Sequence, residues 1–167
     1  DITGVSSSQV EMNSGLQFYD GISAEEIQQI MIKSASDLIS LDTPNYTYVA
    51  SRLLLFSLLK QIFVKLWDQP HFYEHIKLVI DKGHYDKNIL SLYNKSEFDR
   101  MEYWLKHDRD YDFTYAGLRQ VIDKYLVQDR SSGEVFETPQ FMYMMISATL
   151  FAKYPKNKRM SYVKKYY

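Results

Sequence analysis

The sequence predicts a mainly α-helical protein with one short β-hairpin. Only six glycines and four prolines interrupt its 167 residues, so long stretches are free to continue as helix. Three helix-start signals are present: Ser23 followed by Glu26 forms a capping box, and Thr43 and Thr138 each precede a proline. Apolar residues recur at spacings of three and four after each signal. These features favour a bundle-like packing of helices.

The first half of the chain predicts three helices. One follows Ser23, and a second runs from Pro44 to about Leu66. The centre of the second, residues 53–59, is apolar on nearly every side, which predicts burial between other helices. A third, after a boundary at residues 67–70, carries apolar residues from Phe72 onwards and ends at Gly83.

The second half predicts further helices and the hairpin. Ser96 opens one helix, and a helix carrying Leu118 follows a charged, irregular tract. Residues 125–127 and 134–136 flank the turn-forming residues 129–133, which predicts the β-hairpin. Thr138 then starts an apolar helix, and a short basic helix ends the chain.

Composition excludes several classes of function. A formal net charge of −1 gives no nucleic-acid-binding footprint. Cysteine is absent, which removes disulfides, zinc–thiolate sites and thiol nucleophiles, and is consistent with a cytoplasmic origin. The most apolar stretch, residues 53–64, is too short to span a membrane. Because the first residue is Asp rather than Met, we expect the chain to be a piece of a larger protein.

Two polar clusters have spacings that suit chemistry. His71 and His75 are four residues apart, as metal ligands on a helix can be, but Phe72 stands where a zinc protease would need Glu. Surface histidines are the favoured interpretation, and no metal site is predicted. Residues 107–112 pair carboxylates around Arg109, and a loop held by Arg109 ion pairs is favoured over acid–base catalysis.

Two further groups have both a binding and a packing interpretation. Lysines and tyrosines alternate after Lys153, where phosphate binding is less favoured than a helix that packs its tyrosines and solvates its lysines. Met142, Met144 and Met145 suit either a pocket lining or gap-filling in the core. No glycine-rich phosphate loop or Ser/His/Asp arrangement is present, so no catalytic residue is predicted.

A series of short stretches, in this order, resembles the large subunit of class I ribonucleotide reductases. The stretches that resemble that family's regulatory ATP-cone domain are 8–11, 17–22, 32–39 and 44–52. Those that resemble its helical domain are 83–86, 107–110, 113–116, 124–127, 133–141 and 162–167. The resemblance implies the helical remainder of an ATP-cone at residues 1–66 and a helical domain at 67–167 that leads into a catalytic ten-stranded barrel.

The resemblance implies a function for the parent protein. Such a parent would make deoxyribonucleotides from ribonucleoside diphosphates, with ATP and dATP as allosteric effectors and a radical-generating small subunit as partner. The remainder of the large subunit would be a further partner, and the large subunit would be a homodimer. No cofactor is implied for this segment. Since the family's chemistry uses cysteines, this chain alone should be inactive.

The resemblance also implies two effector contacts. Lys60 matches a lysine near the end of the last cone helix, where it would reach a phosphate, although a lysine that extends out of an apolar helix to water fits equally well. Ala24 stands where the family has a threonine contact, and Ser23 beside it could substitute. The alternative function is a stand-alone helical interaction module without an enzymatic parent.

Overall fold

Helices account for most of the residues that the structure, a computed structural model, describes, namely 2–63 and 69–167. The mainly α-helical prediction is confirmed. No helix in these two ranges is long and apolar enough to cross a membrane. In chain order the helices are α1 Ser7–Gly15, α2 Ala24–Asp37, α3 Tyr46–Ile62, α4 Phe72–Asp81, α5 Ile89–Leu92, α6 Lys95–Trp104, the 3-10 helix His107–Asp112, α7 Tyr115–Lys124, α8 Pro139–Phe151 and α9 Lys156–Tyr166.

The chain folds into two compact units that do not follow its order. The first unit comprises the described residues of Asp1–Leu59 and Asp108–Lys124, and the second those of Lys60–His107 and Tyr125–Tyr167. These units are defined by which residues pack together. The predicted division into an ATP-cone remainder and a helical domain rests instead on resemblance to a family, and it stays a prediction. The predicted boundary at residues 67–70 and the predicted helix end at Leu66 fall on or next to residues 64–68, which lie outside the described ranges.

A small apolar cluster forms the core of the first unit. Val10, Ala35, Tyr46 and Ala50 are buried together where α1, α2 and α3 meet. The hydroxyl of Tyr46 accepts a hydrogen bond from the Ser6 amide at 2.9 Å and also bonds to the side chain of Gln9. The buried ring and its hydroxyl therefore attach α3 to the start of α1.

The centre of α3 is only partly as predicted. Leu54, Leu55 and Leu58 are buried, but Phe56 is 42% exposed. An α-helix turns about 100° per residue, so consecutive apolar residues cannot all face one core. The prediction that the centre of α3 is buried on all sides is therefore wrong for the face that carries Phe56.

Aromatic rings fill the core of the second unit. Phe72 from α4 packs against Phe141 from α8 and Phe98 from α6, with ring centroids 5.1 and 6.4 Å apart. At the end of α4, Gly83 has a φ of +82°, a conformation that side chains with a Cβ rarely adopt. The predicted end of this helix is confirmed.

The helix-start predictions had mixed outcomes. The Ser23 capping box is present, and Thr138 accepts from the Phe141 amide at 3.2 Å with Pro139 in the first turn. Thr43 is not a cap: its hydroxyl donates to the Leu38 carbonyl at 2.7 Å, and the helix begins later. A threonine hydroxyl can hydrogen-bond to backbone groups that precede it as well as to those that follow it. Here the bond to Leu38 ties Thr43 to the C-terminal end of α2.

The start of α6 also differs from the prediction. The cap is Asn94, not Ser96, and Asn94 and Glu97 form a full capping box. Asparagine caps as well as serine does, and Asn94 stands at the required three-residue distance from Glu97. Ser96 instead lies inside the first turn.

The predicted hairpin is not confirmed as a pair of strands. Within the described ranges a single antiparallel bridge joins Gln128 and Val135 across the turn, and no strand is present. The pairing stops because the Val127 amide donates to the Glu137 carboxylate at 2.8 Å instead of to a backbone carbonyl. Within the turn, the Asp129 carboxylate accepts from the Ser131 amide, which favours a tight loop.

Candidate functional site

A cavity of about 640 Å³ opens in the second unit. Its walls come from the loop after α4, from α5 and from α8, with further residues from the segments on either side of α8. Apolar side chains provide most of the lining, among them Ile89, Met142 and Ile146. The volume lies within the range of pockets that hold small molecules. This cavity is the candidate binding site of the described residues.

A buried carboxylate stands in the lining of this cavity. Glu137 is 1% exposed, accepts from the Tyr85 hydroxyl, and accepts from the Val127 amide. Burial raises the pKa of Glu137 above its usual value, and the two hydrogen bonds only partly oppose that rise. Burial and the neighbouring Glu137 charge raise the pKa of Tyr85 well above its usual value. The tyrosine therefore stays protonated and acts as a donor.

The wall that carries Tyr85 is held by a row of contacts with residues 134–137. Lys82 pairs with Glu134 at 2.5 Å and lies 4.8 Å from the centre of the Phe136 ring. His84 stacks on the same ring, with centroids 4.2 Å apart. Together with the hydrogen bond from Tyr85, these contacts fix the loop after α4 before any ligand arrives.

A second buried carboxylate serves packing. Arg159 of α9 donates from two nitrogens to Glu97 of α6, at 2.9 and 2.5 Å, and both side chains are buried. The guanidinium also lies 4.3 Å from the centre of the Tyr93 ring. Burial alone would raise the pKa of Glu97. The hydrogen bonds from Arg159 and Asn94 outweigh this effect, so the pKa of Glu97 lies below its usual value.

His71, the residue before α4, and His75 within it have opposite environments. The side chain of His71 is 87% exposed, as predicted for a surface residue, whereas His75 is 3% exposed and the surface prediction is wrong for it. Its Nε2 has no hydrogen-bond partner among the described residues, and its ring lies 4.6 Å from Phe141. Burial lowers the pKa of His75 to about 4, so it is neutral near pH 7. Among the described residues, no three metal-ligating side chains lie together.

The charged tract after α6 is more regular than predicted. Residues 107–112 form a 3-10 helix in which Asp110 is buried. The ion pairs of Arg109 stay a prediction.

The basic C-terminal helix agrees only in part with the favoured interpretation. Tyr162 and Tyr166 lie against Phe151, with centroids 5.4 and 4.8 Å away, but both remain exposed, Tyr166 by 64%, and the lysines of α9 are exposed too. Among the basic residues of α9, Arg159 is the exception, since it is buried in its pair with Glu97.

The three methionines of α8 divide between the predicted roles of core packing and pocket lining. Met144 is fully buried core, and Met142 and Met145 line the cavity.

The two predicted effector residues lie in different units. Ser23 is exposed at the start of α2, and its hydroxyl and amide both bond to Glu26. Hydrogen bonds from Ser23 and Tyr19 lower the pKa of Glu26, so a carboxylate anion lies beside the serine. Lys60 is exposed in the last turn of α3.

Comparison with known proteins decides the family. The family model described as "Ribonucleotide reductase, all-alpha domain" matches residues 111–167. Over 98–99% of its length the chain is 44% identical to ribonucleoside-diphosphate reductase 1 subunit alpha of Salmonella typhimurium and of Escherichia coli. The corresponding subunit of Haemophilus influenzae is 45% identical over 99% of the chain. The chain belongs to the class I ribonucleotide reductase large-subunit family.

Membership in the ribonucleotide reductase family confirms the resemblance that the sequence motifs carried. The chain spans 21–22% of the length of these relatives and corresponds to an N-terminal part of them. The stand-alone interaction module receives no support, because nearly all of the chain aligns within much longer subunits. The matched all-alpha domain lies inside the predicted helical domain, while the cone assignment of residues 1–66 and the roles of Lys60 and Ser23 stay predictions.

Sequence reasoning missed the cavity and the buried carboxylates Glu97 and Glu137. Tyr85 and Glu137 are 52 residues apart, and Glu97 and Arg159 are 62 apart, so no local pattern connects either pair. For His75 a signal was available. It lies three residues after Phe72 and four before Val79, on the face of α4 that the apolar residues share.

Proposed function

We propose that this chain is the N-terminal part of a class I ribonucleoside-diphosphate reductase large subunit, and that the parent protein makes deoxyribonucleotides from ribonucleoside diphosphates. The observation that carries the proposal is 44% identity to two reductase alpha subunits over 98–99% of the chain. Identity spread over the whole chain, rather than confined to one motif, favours a shared role.

In this proposal the segment supports catalysis without performing it. Reduction of a ribose by a thiyl radical and a dithiol needs cysteine, and the 167 residues contain none. The rest of the subunit would supply the cysteines, and a radical-generating small subunit would be the partner. The packing of α6, α8 and α9 around the Glu97–Arg159 pair gives the segment a fixed helical framework.

The proposed effectors are ATP and dATP, with Lys60 and Ser23 as contacts. Lys60 offers an exposed cation, which suits a phosphate oxygen. Ser23 is less suited, because the carboxylate of Glu26 lies beside it and repels phosphate. Ala24 has no hydroxyl to compensate. We therefore propose that any effector site depends mainly on residues outside this chain.

A chimera tests the proposed function. The matching part of the Escherichia coli alpha subunit is replaced by this chain, and conversion of CDP to dCDP is measured with that organism's small subunit and a dithiol reductant. We expect turnover by the chimera and none by this chain alone. The control is the alpha subunit with the segment deleted, which should be inactive. A chimera that folds and assembles but gives no dCDP would contradict the proposal, as would turnover by the isolated chain.

A further inference from the structure

The connection between α1 and α2 contains an exposed Asp20–Gly21 pair. The Ile22 amide donates to the Tyr19 carbonyl at 3.2 Å, so residues 19–22 form a turn with Asp20 and Gly21 at its centre. Gly21 has a φ of +87°, and apart from its chain neighbours no described residue comes within 4 Å of the place that a Cβ would take there. The peptide bond between the two residues therefore lies in open space.

The side chain of Asp20 and the amide of Gly21 are both free to react. Among the described residues, none hydrogen-bonds to the Asp20 carboxylate or to the Gly21 amide. In any chain, the amide nitrogen that follows an aspartate can close a five-membered ring onto the side-chain carboxyl carbon. Glycine in the following position favours this closure, because it has no Cβ to crowd the approach.

No other aspartate of the chain offers this combination. Each of the others is followed by a residue with a Cβ, and no asparagine precedes a glycine. Asp42 is the best comparison, since it is also exposed in a connection between two helices. Its neighbour Thr43 is β-branched, however, and the Thr43 amide donates to the Ser40 hydroxyl oxygen at 3.1 Å. The turn at residues 19–22 therefore singles out Asp20.

We propose that Asp20 is a site of spontaneous isoaspartate formation in the folded chain. The Gly21 nitrogen attacks the protonated side-chain carboxyl of Asp20, and the amide proton and the carboxyl hydroxyl leave together as water. The new C–N bond closes a succinimide ring. Addition of water to either carbonyl of the ring then gives aspartate or isoaspartate, in which the main chain runs through the former side chain. The reaction needs no oxidant or reductant, and its product is a substrate for methyltransferases that recognise isoaspartyl carboxylates.

The modification would disturb the start of α2. An isoaspartate lengthens the main chain by one carbon, so the hydrogen bond between Ile22 and Tyr19 cannot keep its geometry. The Tyr19 hydroxyl also donates to the Glu26 carboxylate at 3.2 Å, and Glu26 completes the capping box with Ser23. We expect the modified chain to differ at residues 19–26 and not in the second unit. The proposal is independent of the reductase assignment, because it uses only residues of this turn.

Incubation of the folded 167-residue chain at neutral pH and elevated temperature tests the proposal. Isoaspartate is measured by the transfer of a labelled methyl group from S-adenosylmethionine with an isoaspartyl methyltransferase, and peptide mass spectrometry locates it. We expect isoaspartate to accumulate at Asp20, together with a succinimide form that is lighter by one water. In nuclear magnetic resonance spectra the amide signals of residues 19–26 should shift with time, while those of α8 and α9 should not.

Two variants and one change of solvent locate the effect. Asp20→Glu keeps the charge but would have to close a larger, six-membered ring, so methyl incorporation should be lost. Asp42→Glu is the matched control and should leave incorporation unchanged. Incubation in urea separates the turn from the bare sequence without any substitution. Isoaspartate that forms in urea but not in the folded chain would show that the turn protects Asp20, and it would overturn the proposal. Equal amounts at Asp42 and Asp20, or undiminished incorporation in Asp20→Glu, would overturn it as well.

Discussion

The two units of this protein differ in how many ionisable groups they bury. Among the described residues, the first unit buries one carboxylate, Asp110, together with serine hydroxyls and the hydroxyl of Tyr46. The second unit buries Glu97 with Arg159, Glu137 and the neutral ring of His75. Burial of a hydrogen-bonded hydroxyl costs little free energy, whereas burial of a charged group costs much more unless a specific partner compensates the charge. The stability of the second unit should therefore be more sensitive to pH and to single charge deletions.

The largest expected effect follows removal of the cation from the buried pair. Arg159→Met leaves the Glu97 carboxylate buried without its partner, which should cost the second unit about 3–5 kcal/mol. Urea denaturation followed by circular dichroism measures the loss. The matched control is Lys82→Met, which breaks the partly exposed pair with Glu134 and should cost about 1 kcal/mol or less. Equal losses in the two variants would show that burial of the Glu97–Arg159 pair has no special role.

The second effect is a dependence on pH that comes from His75. Its pKa falls from an ordinary 6.5 to about 4 in the folded chain, so the unfolded state takes up a proton first as pH falls. Its contribution is fully present above pH 6.5 and is lost between pH 6.5 and about 4. The loss should approach about 3 kcal/mol, at 1.36 kcal/mol for each pH unit.

Two phenylalanine variants at α4 test this assignment. His75→Phe should flatten the stability profile between pH 6.5 and 4, and His71→Phe should keep the fall, because it leaves the buried His75 in place. Stability is measured by urea denaturation at each pH. A His75→Phe profile as steep as that of the unmodified chain would assign the dependence to other groups.

These two effects also mark how far the sequence could predict the structure. Helix starts that depend on three-residue spacing were predictable, as Ser23 and Thr138 demonstrate. The same spacing between Asn94 and Glu97 marks the start of α6, whereas Ser96 has no glutamate or glutamine three residues later. The Arg159 pair was not predictable, because its partner is 62 residues away and a basic tail gives no sign of it. The family could be predicted because many short stretches occur in a fixed order.

A smaller effect is expected in the first unit. Tyr46→Phe removes the hydroxyl that bonds to Ser6 and Gln9 but keeps the buried ring. The cost should be about 1–2 kcal/mol, the usual penalty for leaving such partners unsatisfied. Native-state hydrogen exchange resolves the two units, and protection should fall in α1 and α3 while α8 and α9 keep theirs. A loss of protection throughout both units would indicate that they unfold together.

The smallest expected signal is the binding of ATP or dATP by this chain. A triphosphate needs several converging donors to replace its hydration, and the proposed contacts here are Lys60 and Ser23. An exposed lysine–phosphate contact should be worth only about 1 kcal/mol. That is too little against the roughly 4 kcal/mol or more that ordering a ligand costs. Glu26 adds repulsion beside Ser23.

Calorimetric titration with ATP and dATP checks the expectation of weak or undetectable binding. The variant is Lys60→Ala, and the matched control is Lys156→Ala, which removes an exposed lysine from α9 of the second unit. A form of the subunit extended upstream should bind both nucleotides and should weaken in the Lys60 variant only. Micromolar binding by the 167-residue chain that disappears in Lys60→Ala would show instead that this chain holds most of the effector site. Micromolar binding that survives both substitutions would place the nucleotide away from Lys60 altogether.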